Sequence, residues 1–319
     1  MKSIMHSEKT LNIIKLLNSK SKLNFKGISK KLGISRQTFQ NKFDKLKQDE
    51  LIKNFTININ PNILPKLNYV ILEIKTNPKE PYLVEELLKI SQLKMLDGIL
   101  GEFSLIALFI FKSSEEFNQI LSQIDYIMSK SYFRKYQLSE TIKVFKTNGI
   151  KLSDKIVSPE LKFDEKDYLI LEILQENQTL KLISTYDISK LLKAEYNLEM
   201  SQATIYNRIK RLEDSYVILN YSINFCPARI GFKGKFLVRI KPIDPSKYDE
   251  IALNLEKNHN ITDLFRIGEQ YGLFAIVRVE KIEDYAIFIK DLYDSGEIED
   301  TYTNFVLDEL QPYTNFIIS

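Results

Sequence analysis

The strongest constraint on this chain is that part of it occurs twice. Ser35–Pro61 (SRQTFQNKFDKLKQDELIKNFTININP) returns as Ser201–Pro227 (SQATIYNRIKRLEDSYVILNYSINFCP) at a constant offset of 166 residues, without a gap. Nine of the 27 paired positions are identical, among them Asn41/Asn207, Leu46/Leu212, Asn54/Asn220, Asn58/Asn224 and Pro61/Pro227. Other pairs swap like for like, as in Phe39/Ile205, Lys42/Arg208 and Phe43/Ile209. A match of this length implies a tandem duplication, with two copies of one unit that each take about half the chain. The 319 residues suit two or more domains.

Each copy opens with short helical patterns. In the first, Leu11, Ile14 and Leu17 stand at helical spacing, and Ile28 and Leu32 mark a second helix with Asn24 at its start. Gly33 ends that helix, and Ser35 caps a third. Phe39, Phe43 and Leu46 form the third helix's buried stripe. Ile52, Phe55, Ile57 and Ile59 then alternate as in strands, and Pro61 and Pro65 mark a connector. From Asn68 the pattern reads strand, helix, strand, strand, helix, strand, a ferredoxin-like order. Leu105–Phe111 (LIALFIF) is apolar on both faces. Pairing of two sheets explains this, and so does a covering helix on one face. In the second copy the turn before the third helix is longer, LKAEYNLEM against KKLGI.

Three helices followed by a two-strand wing make a winged helix-turn-helix, whose third helix fits the major groove of B-DNA. The face opposite the apolar stripe carries Gln37, Gln40, Asn41, Asp44 and Lys45, with Arg36 in the first turn and Lys42 beside them. The second copy presents Gln202, Ala203, Tyr206, Asn207, Arg208, Lys210 and Arg211. Amides pair with adenine, arginine with guanine, and lysine reaches phosphate. The Ser35 and Ser201 hydroxyls are better explained as helix caps than as phosphate contacts.

The formal charge is only +3, yet it is unevenly spread. Residues 1–60 hold 13 Lys and Arg against 4 Asp and Glu, a balance of +9. Residues 161–222 hold 8 against 10, or −2, and residues 223–319 hold 11 against 16, or −5. The first copy's end therefore suits a polyanion, which makes it the stronger candidate for DNA affinity. One cysteine, Cys226, excludes a disulfide framework and a cysteine-based zinc site, and two histidines, His6 and His259, leave little for a histidine-rich metal centre. No cofactor is expected. No apolar run reaches membrane-spanning length, and the N-terminus lacks a signal core, so the default compartment is the cytoplasm.

On these residues the chain resembles the leucine-responsive regulator (Lrp/AsnC) transcription factors. The family pattern of a serine opening the recognition helix, a basic residue, Leu and Ile-x-x-Tyr/Phe is met by Ser35, Lys42, Leu46, Ile52 and Phe55, and again by Ser201, Arg208, Leu212, Ile218 and Tyr221. The resemblance implies a DNA-binding head joined to a ferredoxin-like effector domain that senses a small molecule. It also implies pairing of two effector domains, as a homodimer or as an intramolecular pseudo-dimer. The family's Gly-Asp-Tyr-Asp loop reads here Gly101-Glu102-Phe103-Ser104 and Gly268-Glu269-Gln270-Tyr271-Gly272. Gly101, Glu102, Gly268 and Glu269 are the candidate effector residues, although the second acid is missing from both loops.

The expected architecture is α+β, with two winged helix-turn-helix domains and two ferredoxin-like (βαββαβ) effector-type domains in tandem. Its segments are head 1 at 1–62, sheet domain 1 at 63–145, a linker at 146–160, head 2 at 161–228 and sheet domain 2 at 229–319. The expected function is sequence-specific regulation of transcription, without enzyme activity, on double-stranded DNA. Two other readings stand beside it. The two-copy form also resembles the siroheme decarboxylases of heme biosynthesis, which implies a histidine and arginines near the second strand. Here Arg266 is present, but Asp263 stands where the histidine is expected, and His259 precedes it on a loop. The third reading is a protein-binding adaptor in which the acidic second head contacts another protein.

Overall fold

The computed structural model describes residues 8–18, 25–63, 67–77, 79–176, 178 and 183–318. His6, the Asn24 cap and Pro65 lie outside them. The elements run α1 (Glu8–Leu17), α2 (Phe25–Lys31), α3 (Arg36–Gln48), β1 (Ile52–Ile59), β2 (Asn68–Lys75), α4 (Pro81–Leu88), β3 (Leu93–Ile99), β4 (Leu105–Phe111), α5 (Ser114–Ser129) and β5 (Lys135–Thr147). After the short β6 (Ile150–Lys151) the same order returns. It reads α6 (Glu165–Glu176), α7 (Thr185–Tyr196), α8 (Gln202–Asp214), β7 (Ile218–Phe225), β8 (Gly234–Pro242), α9 (Tyr248–Leu255), β9 (Ile261–Ile267), β10 (Leu273–Val279), α10 (Asp284–Asp294) and β11 (Ile298–Glu309).

The segments group into two compact units. One comprises residues 1–60, 154–231 and 313–319, and the other residues 61–153 and 232–312. The regions expected as two separate heads thus share one unit, joined by the last seven residues. The strand β5 reaches Thr147 and turns through Asn148 and Gly149 into β6, where the sequence suggested a linker from residue 146.

In the first unit the helix starts follow from their caps. The Ser35 hydroxyl accepts from the Thr38 amide at 3.0 Å, and the Ser201 hydroxyl accepts from the Thr204 amide at 3.1 Å. The helices α3 and α8 bury Phe39, Phe43, Leu46 and Ile205, Ile209, Leu212, respectively. In head 1 Phe25, Phe39, Phe43 and Phe55 form one aromatic cluster, with Phe43 lying 5.4 Å from Phe25 and 5.3 Å from Phe55 between ring centroids.

The expected two-strand wing is a single strand in each head. Those two strands, β1 and β7, pair with each other in antiparallel fashion. Thr56 lies opposite Ser222, its counterpart in the repeat. The Asn58 amide donates to Asn220 at 2.8 Å, and the Asn224 amide donates to Asn54 at 3.0 Å. Two of the identities that reveal the repeat, Asn54/Asn220 and Asn58/Asn224, are therefore one cross-strand bond made twice. A lone strand presents unpaired N–H and C=O groups, and the counterpart strand satisfies them. The C-terminal tail adds to this layer, since Thr314 and Phe225 exchange both backbone bonds at 2.7 and 2.9 Å.

In the second unit the strand order is β2-β4-β3-β11-β8-β10-β9-β5, and β2 also pairs with β5, so eight strands close into a barrel-like ring. The helices α4 and α5 cover one half of its outside, burying Leu72, Leu87, Phe109 and Ile124. In the other half the core holds Val238, Ile251, Ala275 and Phe288 beneath α9 and α10. Leu105–Phe111 accordingly has helices on one face and the ring interior on the other. That interior carries charge: Glu73, Asp97, Lys235, Arg239 and Arg278 are all buried.

Phe43 is fully buried at the centre of the head 1 cluster. Replacing it with alanine leaves a cavity among rings that cannot collapse. Phe43→Ala is expected to destabilise head 1 by about 3–5 kcal/mol, checked by thermal unfolding of the full chain.

Candidate nucleic-acid interface and effector loops

The exposed face of α3 carries Arg36, Gln37, Asn41, Lys42 and Lys45, with Gln40 half-buried. Its amides are pre-arranged. Gln37 donates to Asn41 at 2.9 Å, and Gln40 donates to Asp44 at 3.0 Å, which leaves the Gln40 carbonyl oxygen to accept. Among the described residues no carboxylate pairs with Arg36, Lys42 or Lys45. Ser35 is occupied as the helix cap, and its hydroxyl also meets the Thr38 hydroxyl at 2.8 Å. Gly33 makes the tight turn before α3 with φ of +65°, a conformation that favours glycine.

The second recognition helix is arranged differently. Gln202, Tyr206, Asn207 and Lys210 are exposed. Arg208 instead donates to Asp164 and Asp167, both at 2.8 Å, and Arg211 donates to Asp167 at 2.5 Å. Asp167 is fully buried. Burial acts to push the Asp164 carboxyl up, but its bonds from the Asp167 amide and Arg208 outweigh this and hold it below the ordinary carboxylate value. These two arginines, counted from sequence as DNA contacts, clamp α8 onto α6. Asp167 is the third residue of α6, where α1 has Thr10, and among the described residues no such clamp holds α3. The signal was legible as two acids three apart across the start of α6, Asp164 and Asp167, and two arginines three apart on α8.

The effector-loop acids already hold cations. Glu102 pairs with Lys135 at 2.5 Å, and this bond holds its carboxyl below the ordinary value. Glu269 accepts from Arg239 at 2.9 Å and from the Ser139 hydroxyl. Gly101 and Gly268 are exposed beside them. The residues singled out for the decarboxylase reading do not converge. His259 is exposed on a turn. Asp263 accepts from the Asn148 amide at 3.0 Å, and the Arg266 guanidinium lies 3.3 Å from the centroid of the Tyr248 ring. Among the described residues there is no group of three His, Cys, Asp or Glu able to hold a metal, and no helix is long and apolar enough to cross a membrane.

Comparison with known proteins places this geometry. Residues 6–53 match a model described as winged helix-turn-helix DNA-binding, and residues 235–316 match the Lrp/AsnC ligand binding domain. An uncharacterised HTH-type transcriptional regulator of Pyrococcus horikoshii is 30% identical over 148 residues, covering 46% of this chain and 93% of that protein. The chain belongs to the Lrp/AsnC family. A second HTH-type regulator, from Pyrococcus furiosus, is 36% identical over 124 residues, covering 36% of this chain and 82% of its own. Both relatives match less than half of the present chain. Over 95% of the chain the fold is similar to the siroheme decarboxylase NirDL, with a TM-score of 0.61, 12% identity and 92% of that structure covered. At that identity the likeness concerns the fold.

Removing a partner from a buried ion pair is strongly destabilising. Because Arg211 still pairs with Asp167, Arg208→Ala is expected to lower stability by about 1.5–3 kcal/mol at neutral pH. The sign with pH follows from Asp164: its folded value is depressed, so its contribution is complete above the ordinary carboxylate value and fades as pH falls through the lower folded value. Denaturant unfolding of variant and wild type should show the gap narrowing in acid; a gap independent of pH contradicts the clamp.

Proposed function

We propose that this Lrp/AsnC protein is a sequence-specific transcription regulator whose first recognition helix supplies most of the affinity for double-stranded DNA. The observation that carries this reading is the difference between the two helices. On α3 three cations, Arg36, Lys42 and Lys45, face solvent with no carboxylate partner among the described residues, within a segment of charge +9. On α8 the two arginines are committed to Asp164 and Asp167, which leaves Lys210 as the exposed cation. Gln37, Gln40 and Asn41 are then the base-edge readers of the first head, and Gln202, Tyr206 and Asn207 those of the second. Ser35 serves α3 as its cap.

In this reading the chain is a tandem form of the single-copy regulators, with two different heads in one polypeptide. Two different heads read two different half-sites, so the operator is asymmetric. The ring of the second unit is the effector-bearing part, with the Gly101–Glu102 and Gly268–Glu269 loops as its candidate receptor. An amine ligand there has to displace Lys135 from Glu102 or Arg239 from Glu269.

Gel shifts against the chain's own upstream DNA at several salt concentrations test the ranking. Lys42→Ala with Lys45→Ala is expected to weaken binding across sequences and reduce the salt slope by about one per lost phosphate contact. Lys210→Ala should change the slope less. An equal loss from both heads contradicts the ranking, and strict two-fold protection in a footprint contradicts the asymmetric operator.

A further inference from the structure

The ring of the second unit is pseudo-symmetric in its backbone and asymmetric in its buried charge. Glu73 and Arg239 are each the sixth residue of their strands, β2 and β8, and they bond to one another at 2.7 Å with both side chains buried. A residue that meets its own counterpart sits on the axis relating the two halves. Away from that axis, every contact should occur twice, once on each side.

On one side Asp97 of β3 takes Lys235 of β8 at 2.7 Å. Lys235 also reaches Glu309 at 3.2 Å, and Glu309 takes Arg278 of β10 at 2.6 Å. The counterparts on the other side are apolar or aromatic. Asp97 corresponds to Phe265, the fifth residue of β9, and Lys235 to Tyr69, the second of β2. Arg278 corresponds to Ile110, the sixth of β4. Glu309 lies across from Asp97 as Val144 lies across from Phe265. The equivalent of the Asp97–Lys235 ion pair is thus the Tyr69–Phe265 ring contact, 5.7 Å between centroids.

This distribution has a consequence for partner choice. Two first-half sheets paired together bring Glu73 against Glu73 and leave Asp97 facing Tyr69, Ile110 and Val144, without a cation. Two second-half sheets bring Arg239 against Arg239, each with Glu269 as its one remaining carboxylate, and leave Lys235 and Arg278 to share Glu309. Buried charges without a counter-charge are costly. The backbone ladders of the two seams are nearly blind to sequence and do not discriminate.

We propose that Glu73 and Asp97 on one sheet face, and Lys235, Arg239 and Arg278 on the other, form a pairing code that admits first-half to second-half pairing and rejects like with like. The only partners admitted are the chain's own other half or, by reciprocal exchange, that of a second copy of this chain. The inference rests on the two halves being equivalent copies and is independent of DNA binding by α3.

The test uses full-length chains carrying Glu269→Gln, because Glu269 also pairs with Arg239 and would repel a carboxylate placed there. In that background Glu73→Arg and Arg239→Glu each create a like-charge pair. Each is expected to lose about 10 °C in unfolding midpoint and to form species of higher mass. The double variant, with both changes in one chain, should regain the parent's midpoint within a few degrees. Co-expressing the two single variants with different tags should give a 1:1 complex of exchanged halves by native mass spectrometry. Single variants with the parent's midpoint and mass overturn the proposal, as does a double variant no better than the singles. Recovery in the double variant without a 1:1 complex on co-expression also overturns it, because the pair then stabilises one chain without choosing a partner. Gel shifts on the parent chain judge the α3 reading separately.

Discussion

The structure depends on two seams between β-strand edges. In the ring, β3 pairs with β11 and β5 pairs with β9. Each seam joins a strand from the first half of the sequence to one from the second. Without them each four-stranded sheet would end in exposed N–H and C=O groups on both sides. The β1–β7 ladder performs the same service for the two heads. Neither half of the sequence therefore completes its own hydrogen bonding. The chain passes back and forth between the two units instead, with segments changing unit after residues 60, 153, 231 and 312.

Much of the local structure was legible in the residues. Ser35 and Ser201 announced two helix starts, and the Phe39, Phe43, Leu46 stripe announced which face is buried. The strand and helix order of the sheet segments followed from alternation and helical spacing, and α5 starts where the Ser113 hydroxyl accepts from the Glu116 amide. These are contacts over a few residues, and sequence spacing encodes them directly. The seams are different. They depend on register between strands more than a hundred residues apart, and apolar strands such as Leu105–Phe111 fit several neighbours equally well. That is why a wing was expected where one strand stands, and why the last residues were expected within the sheet domain although Thr314 pairs with Phe225.

The candidate site shows the same division. Exposure of Arg36, Gln37, Asn41, Lys42 and Lys45 follows from helical periodicity alone. The commitment of Arg208 and Arg211 to Asp167 is a contact over some forty residues, and charge counting registered it only as a net balance near zero. A balance of that kind conceals the distinction that matters. Lys42 and Arg208 are equivalent by sequence, yet one meets water and the other a buried carboxylate.

The two halves share a backbone order and a pseudo-symmetric ring, and their side chains depart from that symmetry. The strand pair β1–β7 keeps its symmetric asparagine bonds. The ring interior has lost symmetry at every charged position, with Glu73 matched to Arg239 and Asp97 matched to Phe265. In a protein built from two identical chains a substitution such as Glu73→Arg would appear twice and meet itself. In one chain with two copies it appears once, and its counterpart is free to change sign. Covalent fusion is thus what allows a buried, complementary ion pair to sit on the axis, a place where a symmetric dimer can put only a self-compatible side chain.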